Sequence, residues 1–175
     1  MEILINNARL SYPHLFKASA FAPGQEEKFS ATFLLNKDDK QMLAIQKAML
    51  EAAEAKWPNK GQKMLDSFDN RNKAVKDGDK IRPDDNVYEG KIAISASNKS
   101  RPLVVDKKRI SLTEEDGVIY AGCRVNAKIR FFAYDNVSKG ISASLLGVQF
   151  AGDDSPLGGV STASVDDFDD LDDDL

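Results

Sequence analysis

The chain has 175 residues, 42% of them hydrophobic and 30% charged, which suits one globular domain with a real core and leaves no room for a second full domain. Its single cysteine, Cys123, and single histidine, His14, exclude an internal disulfide and a cysteine-cluster metal site. The net charge of −4 joins two unlike parts: residues 151–175 hold nine of the 28 acidic side chains and no lysine or arginine, so the 19 others face 24 basic ones in residues 1–150, and a body of +5 carries a tail of −9. Such asymmetry marks a body for nucleic acid and an acidic tail for interactions.

In chain order, "EILINNARLSY" has strand character and leads into an expected loop, "PHLFKASAFAPGQEE". "KFSATFLLN" alternates Phe29, Ala31, Phe33 and Leu35 against Lys28, Ser30 and Thr32, a second strand. The period then changes. "DDKQMLAIQKAMLEAAEAKW" places Met42, Ile45, Met49 and Ala52 at helical spacing, with Asp38 available as a cap and Pro58 stopping the helix after Trp57. "GQKMLDSF" suits a shorter helical turn, and "DNRNKAVKDGDKIRPDDN" (69–86) reads as an exposed loop. Strands follow in "YEGKIAISASN" and "RPLVVD", then "VIYAG" leads into "GCRVNAKIRFFAY", and "GISASLLGVQF" closes the ordered part. Five or more strands with one inserted helix and glycine-containing turns predict a strongly curved antiparallel sheet or barrel.

The stretch 122–134 carries the strongest functional signal. Alternation puts Cys123, Val125, Ala127, Ile129, Phe131 and Ala133 on one side, a core face. The other side holds Arg124, Lys128 and Arg130 and ends in Phe132 and Tyr134. Cations attract phosphates while rings stack on bases, so this face suits single-stranded nucleic acid. Tyr88 and Lys91 at the start of one strand, Lys99 and Arg101 at its end, the cluster Lys107, Lys108 and Arg109, and Tyr12, Phe16, Lys17 and Phe21 in the first loop could extend it.

Other chemistry is poorly represented. No phosphate-cradling "GxxxxGK[ST]" and no "GxGxxG" after a strand occurs, and no Ser–His–Asp arrangement stands out. "RPDDNVYEGK" mimics the "PD…ExK" pattern of two-metal nucleases through Asp84, Glu89 and Lys91, but its carboxylates are too close in sequence to sit on separate strands. No catalytic residue, cofactor or metal is therefore expected. A Mg²⁺-dependent nuclease and a DNA-mimic or adaptor acting through its acid remain the alternatives. No apolar run is long enough to span a bilayer and "MEILINNARL" lacks a cleavable leader pattern, so a cytoplasmic protein without membrane contact is expected.

The end, "AGDDSPLGGVSTASVDDFDDLDDDL", cannot bury enough apolar surface to offset its ordering entropy and is expected to be a disordered tail over 152–175, after a domain over 1–151. Its segment Asp166, Asp167, Phe168, Asp169, Asp170, Leu171, Asp172, Asp173, Asp174 and Leu175 sets hydrophobes in acid, a pattern that a basic, apolar pocket of a partner recognises and that can also compete with DNA for a cationic groove.

In combination, "ARLSYPHLFKA", "KFSATFLLNKDD", "VKDGD", "YEGKIAISASNKSRPLVVD", "IYAGCRVNAKIRFFAYDN", "GISASLLGVQF" and the acidic end resemble a family of bacteriophage single-stranded DNA-binding proteins that was formerly of unknown function. The resemblance covers essentially the whole chain. It implies an OB-fold, a five-stranded antiparallel Greek-key barrel with one inserted helix, that coats single strands in phage replication, recombination and repair in the cytoplasm of the infected bacterial host. By position it implies Tyr88, Arg124, Lys128, Arg130, Phe132 and Tyr134 for DNA, and it implies replication proteins (polymerase, helicase or primase) as partners of the tail, with room for a homodimer. The chain ends in Leu175 where such proteins often end in an aromatic residue.

Overall fold

The computed structural model of the protein describes residues 1–157 and 165–171. Its elements are β1 (Glu2–Ser19), β2 (Lys28–Asn36), α1 (Met42–Lys56), α2 (Gly61–Ser67), β3 (Val75–Asp77), α3 (Gly78–Ile81), β4 (Lys91–Asn98), β5 (Leu103–Val105), β6 (Arg124–Asp135) and β7 (Lys139–Gly152). Strands β4, β2, β1, β6 and β7 pair in that order and antiparallel, and a parallel bridge between Ser97 and Ser144 joins β4 to β7. The ring is thereby closed into the expected mainly-β barrel, while β3 extends the sheet beyond β4 and β5 beyond β7.

The core fills the barrel. Val125, Ala127, Ile129 and Phe131 of β6 are fully buried and meet Ile5, Leu10, Phe33, Ile94 and Leu145 from the other strands. Each large apolar side chain removed from water in this way contributes roughly 1.5–3 kcal/mol. Helix α1 adds Ile45, Ala48, Met49, Ala52 and Ala53 to the same core by packing on β6 and β1.

Three expectations need correction. The loop foreseen from Pro13 is strand: β1 runs on to Ser19, because it breaks register between Ile5 and Ala8 against β6 and between Ser11 and His14 against β2. Asn7 and Tyr12 take left-handed backbone there (φ 52° and 47°), and Pro13, which has no N–H to donate, falls where the ladder skips. Asp38 does not cap α1. The helix starts at Met42 after Gln41, whose side chain instead exchanges hydrogen bonds of 2.7 and 2.8 Å with the Asn6 backbone and ties the helix to the first β1 irregularity.

The third correction matters most for function. Residues 69–86 are no free loop: the Ala74 N–H donates to the Ile141 carbonyl (2.9 Å), the Ile141 N–H donates to the Asn72 carbonyl (2.8 Å), and β3 pairs with β4. The segment thus bridges the gap that the lone Ser97–Ser144 pair leaves between β4 and β7. Ala74 and Val75 bury themselves in the core as it crosses.

Contacts also persist past Gly152. The Leu157 N–H donates to the Ala121 carbonyl, Arg9 reaches the Ser155 carbonyl (2.6 Å) and Arg124 holds the Asp154 carboxylate (2.9 Å). Gly122 (φ 107°) makes the approach possible, since a Cβ there would lie 2.3 Å from the Ser155 oxygen. Residues 153–157 therefore form a strap along the barrel.

Candidate nucleic-acid interface

A cleft of about 880 Å³ opens on the outer surface of β2, β4 and β7 between Tyr12 and segment 70–76. Its floor follows from strand alternation. Where Ala31, Phe33, Ile94, Ala96, Ile141 and Ala143 point inward, Ser30, Thr32, Ser95, Ser97 and Ser142 point outward. These short hydroxyl side chains leave depth for a bulky ligand and offer hydrogen bonds that suit any nucleotide. A neighbouring depression of about 420 Å³ shares Phe21, Ser30 and Ser97 with the cleft and continues it toward Lys28.

The walls are aromatic and cationic. Tyr12, Phe21 and Tyr134 contribute rings, Arg71, Lys73, Lys76 and Arg82 contribute charge, and His14 lies at the border. No described aspartate or glutamate lines the cleft itself. Asp77 and Asp79 of the same segment both bind Lys37, at 2.9 and 2.6 Å, and these hydrogen bonds hold both carboxyls below the usual carboxylate range, while Asp69 pairs with the Arg71 guanidinium at 2.8 Å. Lys76 is half-buried with its ammonium on the Asn70 carbonyl (2.6 Å), and burial pushes it below the ordinary lysine value.

The rings are placed by specific devices. The left-handed turn at Tyr12 projects its ring from β1, and the Arg82 guanidinium stacks 4.5 Å from its centroid. Tyr88 stands behind this pair. Only 2% exposed, it packs on Leu34 and Ala93, shares a 2.8 Å hydrogen bond with the Ser11 hydroxyl, and lies 5.3 Å from the same guanidinium. Tyr88 thus borders the cleft and positions Arg82 rather than presenting an open ring face.

Tyr134 lies across Gly140, its partner on β7. A Cβ at Gly140 would come within 2.4 Å of both the Tyr134 hydroxyl and the Asn72 carbonyl oxygen. Gly140→Ala is therefore expected to displace the Tyr134 ring and segment 70–74 and to cost about 1–3 kcal/mol, as overpacking does. A melting curve and the ring resonances of Tyr134 measure both effects; an unchanged ring position would contradict the account.

The other candidate residues lie elsewhere. Arg124, Lys128, Arg130 and Phe132 share the outer face of β6, where Arg124 binds Asp154 and both Lys128 (3.8 Å) and Arg130 (3.3 Å) approach Glu2. Lys91 binds the Asn36 side chain, Lys99 pairs with Glu26 (3.1 Å) at the edge of the smaller depression, and Arg101 and Lys107 sit over the rings of Phe29 and Phe150. Phe16 packs against the core and Lys17 is exposed. In the tail, Asp166, Asp167, Phe168, Asp169, Asp170 and Leu171 are exposed, and Asp172, Asp173, Asp174 and Leu175 lie outside the described residues.

Of the sequence candidates, the cleft brings together Tyr12, Phe21, Tyr88 and Tyr134, and it adds Arg71, Lys73, Lys76 and Arg82 from the segment expected to be loop. The signal for these four was the density of cations in "RNKAVKDGDKIR", and what hid them was the lack of strand or helix periodicity. Among the described residues, no three His, Cys, Asp or Glu side chains converge as metal ligands, Asp84 and Glu89 included.

The same architecture occurs in solved phage proteins. The single-stranded DNA-binding protein from bacteriophage Enc34 in complex with ssDNA superposes with a TM-score of 0.75 and 36% identity over 90% of this chain and 89% of that one. Bacteriophage T7 gp2.5, a single-stranded DNA-binding protein, shares the fold at a TM-score of 0.57 and 14% identity over 91% of each chain. In sequence, the putative protein p50 of Acyrthosiphon pisum secondary endosymbiont phage 1 is 42% identical over 98% of this chain and 94% of its own length. The model of the Enterobacter phage Enc34 ssDNA-binding protein family matches residues 1–175, and the chain belongs to that phage family.

Proposed function

We propose that this protein binds single-stranded DNA, largely without sequence preference, in the cleft between Tyr12 and segment 70–76, and that it works by coating rather than by catalysis. The observation that carries this reading is the lining: three rings and four cations around a hydroxyl floor, with no described carboxylate among them. Arg71, Lys73, Lys76 and Arg82 take phosphates and release their condensed counterions, while Tyr12, Phe21 and Tyr134 stack on bases. Every base offers a π-face, so neither interaction selects sequence strongly. Membership of a phage family and the ssDNA-bound Enc34 structure support the same reading. Its place is the cytoplasm of the infected host, in replication, recombination and repair.

The acidic tail has two roles in this reading. It competes with DNA for the cationic cleft, and its hydrophobes set in acid engage replication proteins. Anisotropy of a labelled oligothymidine, titrated with the full chain and with a chain stopped after Leu157 at two salt concentrations, tests the cleft and the competition. Stopping there spares the 153–157 strap and removes seven aspartates. Tight, salt-steep binding that strengthens on truncation is expected. Weaker binding by the short form overturns the competition, and no binding by either form overturns the cleft and leaves an adaptor acting through its acid.

A further inference from the structure

Segment 103–112 forms a tongue that the cleft does not use. It starts in β5 on the edge of β7 and turns back at Asp106, whose carboxylate accepts from the Lys108 and Ile110 N–H groups (2.8 and 2.9 Å), while the Leu112 N–H closes onto the Val104 carbonyl. Gln149 pins the turn through the Asp106 carbonyl (3.3 Å), and Arg109 takes a left-handed conformation (φ 66°). The tongue is thus a held shape. What it displays is Lys107, Lys108 and Arg109 beside Leu103 and Ile110, two aliphatic side chains that are 61% and 60% exposed. Among the described residues none of these three cations has an ion-pair partner.

We propose that this tongue is a docking site for the acidic tail of a second copy of the chain. The complement is in the tail itself: seven aspartates between 166 and 174, punctuated by Val165, Phe168, Leu171 and Leu175. Basic groups around exposed aliphatics match acid around exposed hydrophobes in both charge and apolar content. Within one chain the apolar groups of both halves stay exposed, Leu103 and Ile110 on the tongue and Val165, Phe168 and Leu171 (88%, 73% and 76%) on the tail, so these side chains are open to a neighbour. The contact joins two different surfaces and therefore propagates head to tail. On a strand, DNA in the cleft displaces the tail, and the next copy presents its tongue at high effective concentration. The inference goes beyond the competition for the cleft by giving the displaced tail a seat.

The test mixes equal amounts of ¹⁵N-labelled and unlabelled full-length protein on an oligothymidine long enough for several copies. A carbodiimide joins carboxylates to amines, and mass spectrometry identifies the pairs. Cross-links from tail aspartates to Lys107 and Lys108 that carry one labelled and one unlabelled peptide are expected. Tail cross-links confined to one isotopic form, or found only at Lys73 and Lys76, overturn the proposal. The variant K107E/K108E/R109E should lose the mixed cross-links while binding an oligothymidine that holds one copy within about twofold of wild type. Persistence of those cross-links, or loss of short-oligonucleotide binding that places the tongue in the DNA path, also overturns it. Failure of wild type to bind the short oligonucleotide counts against the cleft alone, because mixed cross-linking in concentrated free protein still reads the tongue.

Discussion

Replacing Arg71, Lys73 and Arg82 together by glutamate is expected to abolish measurable binding of oligothymidine at moderate salt. All three cations line the cleft, and the change adds repulsion to the loss of phosphate contacts. The milder alanine triple separates the causes: each lost phosphate contact removes about 0.7 from the slope of log affinity against log salt, so the slope should fall by roughly 2. Arg124→Ala, Lys128→Ala and Arg130→Ala combined should change affinity by no more than about threefold, since these side chains lie outside the cleft, beside Asp154 and Glu2. Anisotropy at four salt concentrations, with melting curves to confirm folding, decides the matter. A larger loss from the β6 triple would move the DNA path to the outer β1–β6 face.

Tyr12→Ala and Tyr134→Ala should each weaken binding by about 1–3 kcal/mol if the rings stack on bases, roughly 5- to 150-fold in Kd. The two act through different supports. Loss of the Tyr12 ring also frees the Arg82 guanidinium stacked on it at 4.5 Å, so Tyr12→Phe, which keeps the ring, should restore nearly all affinity. Tyr134 rests over Gly140 beside Asn72, and its removal should leave the salt slope unchanged while lowering affinity. Phe132→Ala is the control, because Phe132 lies on the outer face of β6 and does not line the cleft. Full affinity in the Tyr12 variant with an intact melting curve would remove that ring from the site.

Much of the barrel was legible in the chain. The alternation in "CRVNAKIRFFAY" separated a face that is fully buried from Cys123 to Phe131 from one that faces out, because a pleated strand has a period of two wherever it stands. The change to helical spacing after Asn36 located α1 to within a few residues for the same local reason. Asp38 is no cap because the helix starts after Gln41, which is engaged by Asn6, a partner 35 residues away.

The kind of surface is legible in composition, and the position of the cleft is a property of the fold. A basic body, interleaved rings and an acidic end follow from composition, and they pointed to single-stranded nucleic acid because charge and π-surface do not depend on the fold. Which cations face the ligand does depend on it. Arg124, Lys128 and Arg130 look available on a strand read alone, yet closing the barrel brings Glu2 and Asp154 beside them. Residues 69–86 look like solvent-facing loop, yet the gap between β4 and β7 draws Ala74 and Val75 into the core and turns Arg71, Lys73 and Lys76 toward the cleft. Local periodicity and composition settle most of the barrel strands, the long helix, the charge partition and the interleaving of rings with cations. Which face of the barrel carries the cleft is a tertiary property, because it depends on the gap between β4 and β7 and on the long-range hydrogen bonds that seat segment 70–76 across it.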